Sequence, residues 1–109
     1  MKEMYRAREL DAFANRLMDR LDRAFNLPQD EGSRISRGVA VRRSAQRMQK
    51  YGFNQDLQLE RLATWEIFFG ANFEERDPEG RLMDICTDSY ARSSDRFAAF
   101  SERLTELTE

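Results

Sequence analysis

The 109-residue chain has no histidine, one cysteine, two prolines and five glycines. Histidine is the usual general base of serine and cysteine hydrolases and a frequent ligand in zinc and helical di-iron sites, so its absence leaves these chemistries without support. The glycines are scattered and form neither a Gly-x-Gly-x-x-Gly motif nor a Walker-type loop, so no nucleotide-binding motif is present. The sequence therefore predicts no catalytic residue, no metal site and no cofactor.

The only cysteine, Cys86, has no second cysteine with which to form a disulfide inside the chain. It lies on an apolar helical stripe without a histidine to activate it, so we expect a buried, unreactive thiol. The charged residues 1–6 resemble neither a secretory signal nor part of a membrane span, and no long apolar run follows them. We therefore expect a cytoplasmic protein without a membrane segment.

The composition is that of a folded domain, because 40% of the residues are hydrophobic and 35% are charged. This mixture is too apolar for intrinsic disorder and is typical of helical domains. A chain of this length suffices for one hydrophobic core and not for two. Residues 1–109 are therefore predicted to form a single domain.

Apolar residues recur at spacings of three and four over most of the chain, which is typical of helices that pack one face against a core. Pro28, Gly52 and the Asp77-Pro78 pair interrupt this pattern. The predicted helices run over about residues 2–26, 37–51, 56–69 and 78–108. A polar loop over residues 28–36 connects the first two helices, and Ser33 or Ser36 is expected to be the N-cap of the second.

The third and fourth predicted helices decide the architecture. The third is apolar around much of its circumference and is therefore expected to be central. The last would extend about 45 Å if unbroken, and residues 92–95 are a point where it could break, with Ser94 as a new N-cap. Asp77-Pro78 before it is either a type I turn or a helix start. The expected fold is all-α, with about four helices in a bundle or an open array.

The second predicted helix has a thin apolar face and a strongly basic opposite face. Val41, Ala45 and Met48 form the apolar stripe, which Ile35 and Val39 do not join. Arg43, Arg47 and Lys50 project from the other side, and we expect them to be exposed.

Charge is distributed unevenly along the sequence. Residues 32–55 contain six bases and no acid, and residues 56–109 contain thirteen acids and six bases. The basic segment 34–50 could bind the phosphates of a nucleic acid or an acidic protein surface. Alternatively, it neutralises the acidic half of the chain by packing against it. The net charge of −2 and the pI near 5.3 favour the second interpretation and make nucleic-acid binding an alternative only.

A cluster of acidic residues surrounds the Asp77-Pro78 pair. Asp84 and Asp88 lie one helical turn apart, and the nearby acids are Glu74, Glu75, Asp77 and Glu79. Such a cluster can hold a divalent cation, as in helical phosphohydrolases that use carboxylate ligands. Because no second acidic cluster completes a cage, we favour a solvated acidic turn.

A series of short motifs links the later helices, namely Tyr51-Gly52-Phe53, Phe69-Gly70-Ala71-Asn72-Phe73, Asp77-Pro78, Asp84-Ile85-Cys86 and Arg96-Phe97. Over roughly residues 45–104 this pattern resembles small uncharacterised helical bacterial proteins, some of them encoded beside genes for secreted toxins or secretion spikes. The resemblance implies an all-helical fold with Phe69 and Phe73 wedged around Gly70, and an adaptor or immunity role. It assigns a function to no residue.

We therefore predict a non-catalytic protein-interaction module, such as a bacterial adaptor, chaperone-like or immunity-type accessory protein. Two surfaces are candidates for the partner: the aromatic turn of Phe68, Asn72 and Phe73, and the basic face of Arg43, Arg47 and Lys50, which suits an acidic partner. We expect Phe68 and Phe73 to be mainly core residues. Self-association is an alternative if an apolar patch stays uncovered. The remaining alternatives are a nucleic-acid-binding regulator and a carboxylate-metal phosphohydrolase.

Overall fold

The computed structural model describes residues 7–108, which form five α-helices and one short 3₁₀ helix and contain no β-strand. The all-α prediction is therefore confirmed for this range, and the predicted number of four helices is too low. The helices are α1 (Ala7–Ala24), α2 (Glu31–Lys50), α3 (Asp56–Phe69), α4 (Arg81–Thr87) and α5 (Ser93–Thr108), and the 3₁₀ helix spans Phe73–Arg76.

The start of α2 differs from the prediction. Asp30 is the N-cap, because its side chain accepts hydrogen bonds from the backbone N–H of Ser33 at 3.0 Å and from the Ser33 hydroxyl at 2.8 Å. These hydrogen bonds lower the pKa of the Asp30 carboxyl. The helix therefore begins at Glu31, six residues before the predicted start, and the loop after α1 is shorter than predicted.

The predicted long C-terminal helix is wrong, because it is divided into α4 and α5. The Arg96 guanidinium donates hydrogen bonds to the carbonyl oxygens of Tyr51 at 2.6 Å and Cys86 at 2.9 Å. It thus satisfies a carbonyl in the last turn of α4, a group that a helix end otherwise leaves unpaired. Residues 88–92 connect the two helices, and α5 begins at Ser93, close to the predicted break.

One continuous hydrophobic core joins the helices. α2 packs against both α1 and α3, and α4 packs against α5. On α3, Leu59, Leu62 and Ala63 are fully buried, and Trp65 stacks on the rings of Phe97 and Phe100 from α5. α3 is a core helix on one side only, because Leu57 and Phe68 on its outer side are exposed.

The domain measures 40 × 38 × 19 Å. Since an α-helix with its side chains is about 10 Å across, the fold is roughly two helices thick. None of the helices within residues 7–108 combines the length and the apolar character needed to cross a membrane.

Candidate protein-binding surface

The end of α3 determines where two consecutive phenylalanines lie. Gly70 terminates the helix with φ of 99°, and its N–H donates to the carbonyl oxygen of Glu66 at 2.9 Å. The Arg76 guanidinium donates to the carbonyl oxygen of Phe69 at 2.8 Å. A φ of 99° is a backbone conformation that residues with a Cβ rarely adopt, so the turn favours glycine at position 70. As a result, Phe68 and Phe69 lie at the edge of the domain.

Phe25, Phe68 and Phe69 form what we call the aromatic surface. Their exposed fractions are 45%, 49% and 40%, respectively. The rings of Phe25, just after α1, and Phe68, in the last turn of α3, meet edge to face with centroids 5.0 Å apart. Such contacts stabilise a ring pair in a defined orientation. The aromatic surface is therefore an ordered feature, in which two helix ends present their phenylalanines together.

An apolar groove of about 410 Å³ begins beside Phe69 and extends along α5. Its lining includes Phe73, Leu82, Leu104 and Leu107, and Leu107 is 38% exposed. Concave apolar sites of this size can accept a side chain or a small ligand. The groove extends the aromatic surface into a depression that a partner's apolar side chain could fill.

The structure separates the three residues of the predicted aromatic turn. Phe68 belongs to the aromatic surface, and Asn72, with φ of 55°, is an exposed residue in the left-handed conformation. Phe73 is buried in the core, where its ring centroid lies 5.8 Å from that of Phe100, and one edge of it lines the groove. The sequence reasoning did not select Phe25 or Phe69 for this surface.

Arg47 lies in an interior ionic cluster, so the prediction that it is exposed is wrong. Arg47 Nη2 donates to Glu66 Oε1 at 2.6 Å, and Arg47 Nε donates to Glu74 Oε2 at 2.7 Å. Both carboxylate side chains have no exposed surface. Burial by itself lowers the pKa of the Arg47 guanidinium, but the hydrogen bonds to the two glutamates outweigh it and raise that pKa. We call these three side chains the Arg47 cluster.

The Arg47 cluster holds the turn that follows α3. Glu66 lies on α3, Glu74 on the 3₁₀ helix and Arg47 on α2. The Tyr51 hydroxyl also approaches Glu74 Oε2 at 3.5 Å, and the backbone N–H of Asn72 donates to Glu66 Oε2 at 3.4 Å. Arg47 thus holds Glu66 before the turn and Glu74 after it. These contacts also restrict the position of Phe69, which lies between them in the sequence.

Asp77, which lines the groove, and Arg103 of α5 form a second buried ionic contact. Arg103 Nη2 donates to Asp77 Oδ1 at 2.6 Å, and Arg103 Nε donates to Asp77 Oδ2 at 2.8 Å. Asp77 also accepts from the backbone N–H groups of Glu79, Arg81 and Leu82. The hydrogen bonds from Arg103 lower the pKa of Asp77. The Asp77-Pro78 segment is therefore a turn before α4, whose N-cap is Gly80.

Two of the acidic residues near this turn contact different arginines. Glu74 faces Arg47 and Asp77 faces Arg103, and both carboxylates are buried, so the favoured interpretation of a solvated acidic turn is wrong for these two residues. Over residues 7–108, no group of three or more carboxylate or thiol side chains is arranged to hold a metal ion. Cys86 is buried, as predicted, and burial, together with the charge of Glu74, raises the pKa of its thiol to about 12.

Most of the basic segment is neutralised within the fold. Arg34 and Arg37 lie 4.0 and 3.6 Å from Asp22, and Arg42 Nε lies 2.8 Å from Asp11 Oδ1. These aspartates belong to α1, so the acids that pair with the segment come from α1 as well as from the acidic half of the chain. Among the residues that the structure describes, Arg43 and Lys50 have no acidic partner.

Comparison with known proteins finds no matching family model, no matching curated protein and no matching solved structure. The candidates for a binding site are therefore the aromatic surface and the exposed basic residues Arg43 and Lys50 of α2.

Proposed function

We propose that this protein is a non-catalytic protein-binding module and that the aromatic surface is its binding site. The observation that carries the proposal is the edge-to-face pair of Phe25 and Phe68, which are 45% and 49% exposed, beside Phe69, the next residue of α3, which is 40% exposed. Scattered apolar side chains are normal on a protein surface, whereas clustered ones mark sites of interaction. Large aromatic rings are also suited to binding, because they bury much surface while few torsions are ordered.

The surroundings of the aromatic surface support this role. The Arg47 cluster and Gly70 hold the turn after α3 from two sides, so little conformational entropy is lost when a partner binds. The groove beside Phe69 provides a place for an apolar anchor from the partner. We expect the partner to present an aliphatic or aromatic side chain that fills the space between Phe69 and Leu107.

The resemblance to small helical bacterial proteins encoded beside secretion or toxin genes supports the same kind of role. We propose an accessory protein that acts in the cytoplasm as an adaptor, a chaperone-like protein or an immunity protein. Each of these roles requires a preformed binding surface and no reactive group. The aromatic surface, beside the turn that the Arg47 cluster and Gly70 hold, is a surface of this kind.

Site-specific photo-crosslinking in the native host tests the proposal. A photoreactive amino acid at position 68 should give one discrete product that contains a second protein. The matched control is the same amino acid at Glu102, which is exposed on α5. Absence of a product at position 68, or equal products at both positions, would show that the aromatic surface is not the binding site.

A further inference from the structure

The outer face of α2 carries an apolar feature that is separate from the aromatic surface. Ile35 and Val39 lie one helical turn apart and are 60% and 48% exposed. They point away from the core because Val41, Ala45 and Met48, all fully buried, occupy the opposite side of the helix. A groove of about 480 Å³ between α1 and α2 runs beside them, with Met18 and Gly38 in its lining.

These residues continue into a charged stripe along the same face. We call this stripe the α2 ridge, and its members are Gly32, Ile35, Val39, Arg43, Gln46 and Lys50, all of them exposed. Asp30 and Glu31 place two carboxylates at the N-terminal end of the ridge, where the nearby Arg34 is directed to Asp22 and Gln29 of its own chain. Arg43 and Lys50 make the other half basic and have no acidic partner within the described part of the chain. The ridge therefore has an acidic end, an apolar centre and a basic end.

We infer that the α2 ridge binds the α2 ridge of a second copy of this chain, in an antiparallel arrangement with Val39 at the two-fold axis. A two-fold interface requires a surface that is complementary to itself. Antiparallel copies meet this requirement, because the acidic start of each ridge lies beside the basic end of the other. The two helix dipoles also oppose each other, which is the favourable arrangement.

The register follows from the helical repeat. With Val39 at the axis, each Ile35 lies opposite the aliphatic stem of the second copy's Arg43, which can cover it while its charge stays in water. Gly32 lies opposite the second copy's Gln46, and the absence of a side chain at Gly32 allows close approach. Lys50 lies near the second copy's Asp30 and Glu31.

The size of the contact predicts a weak dimer. A helix of 20 residues is about 30 Å long. The area that the ridge and the adjoining groove can bury is therefore at the lower end of the range for specific protein–protein interfaces. We expect a monomer–dimer equilibrium that depends on protein concentration and, because the end contacts are ionic, weakens with added salt.

Sedimentation equilibrium of the full chain over a wide range of concentration tests the inference. The wild type should dimerise, and Val39→Lys, which puts two like charges at the axis, should raise the dimer dissociation constant by at least about tenfold. Leu57→Lys on α3 is the matched control, since Leu57 is an aliphatic residue outside the ridge that is even more exposed than Val39, and it should leave the dimer dissociation constant unchanged. Thermal unfolding of each variant verifies that it is folded.

A charge exchange tests the antiparallel register. Glu31→Lys should weaken the dimer by placing a lysine near the second copy's Lys50, and the additional change Lys50→Glu should restore it. A wild type that is monomeric at every concentration would overturn the inference, as would a dimer that Val39→Lys leaves intact. If the chain stays monomeric and Val39→Lys instead abolishes binding of a different protein or of anionic vesicles, the ridge serves that other ligand and the inference is wrong.

Discussion

Arg47 Nε and Glu74 Oε2 lie 2.7 Å apart in the interior, although 27 positions separate the two residues in the sequence. The same guanidinium contacts Glu66, so one cation faces two buried carboxylates. This contact joins α2 to both ends of the turn after α3. Phe68 and Phe69, at the end of α3, thus lie next to a turn that buried ionic contacts hold.

The contacts of the Arg47 cluster predict that replacing Arg47 destabilises the fold more than replacing Glu74. Arg47→Met leaves two buried carboxylates without a cation and should lower the free energy of unfolding by about 3–5 kcal/mol. Glu74→Gln leaves one carboxylate facing one guanidinium and should cost clearly less. Urea unfolding measures both. Arg43→Met is the control, because Arg43 is exposed on the same helix and its loss should cost no more than about 0.5 kcal/mol. Equal effects of Arg47→Met and Arg43→Met would contradict the structure.

The contact between Asp77 and Arg103 predicts how stability changes in acid. The Arg103 guanidinium holds the pKa of Asp77 below the ordinary value of 3.8, which the unfolded chain retains. The contribution of this carboxylate is therefore complete above about pH 5 and is lost progressively as the pH falls through 3.8 and below it. Asp77→Asn should be less stable than the wild type at neutral pH and should lose less stability between pH 5 and pH 3. Thermal unfolding across this range measures the difference, and parallel curves for the two proteins would be the contrary result.

The thiol of Cys86 should be inert in the folded protein. It is buried and its pKa is raised to about 12, so almost none of it is thiolate near neutral pH. A thiol reagent added at pH 8 should react only as fast as the chain unfolds and should react at once in denaturant. Rapid modification of the native protein would show that Cys86 is accessible.

Two phenylalanines five positions apart should respond differently to truncation. Phe73 is buried among core rings, so Phe73→Ala should cost about 3–5 kcal/mol of unfolding free energy. Phe68 is 49% exposed and its ring contacts Phe25, so Phe68→Ala should cost about 1 kcal/mol. Chemical denaturation of the two variants compares these costs. A large loss on Phe68→Ala would mean that Phe68 serves the fold and not a partner.

The sequence predicted the helices best where local signals were strong. The predicted third helix, residues 56–69, has the bounds that the structure shows, because Gly70 marks its end and the apolar pattern is dense. The start of α2 was mispredicted because its N-cap, Asp30, lies within a polar, turn-rich stretch that also contains Gly32. The division of the last helix depends on Arg96, whose hydrogen bond to the Tyr51 carbonyl spans 45 positions.

The candidate site could be predicted only in part, because its contacts are long-range. Arg47 lies on the polar side of its helix, and nothing near it in sequence shows that Glu66 and Glu74 will face it. Phe25 lies within the predicted first helix, residues 2–26, and its contact with Phe68 forms only when two helix ends meet. Phe68 is one of the residues that the dense aromatic run of α3 indicates, but the expectation that it is mainly a core residue is wrong, because it is 49% exposed.

The measurement that tests the central claim most directly uses the double variant Phe25→Ala/Phe68→Ala. The chain, tagged and expressed in its native host, should recover a partner protein as wild type and should lose that partner in the double variant. The variant's free energy of unfolding should stay within about 2 kcal/mol of the wild-type value, because both rings are half-exposed. Undiminished recovery of the same partner by the folded double variant would contradict the claim that the aromatic surface is a binding site.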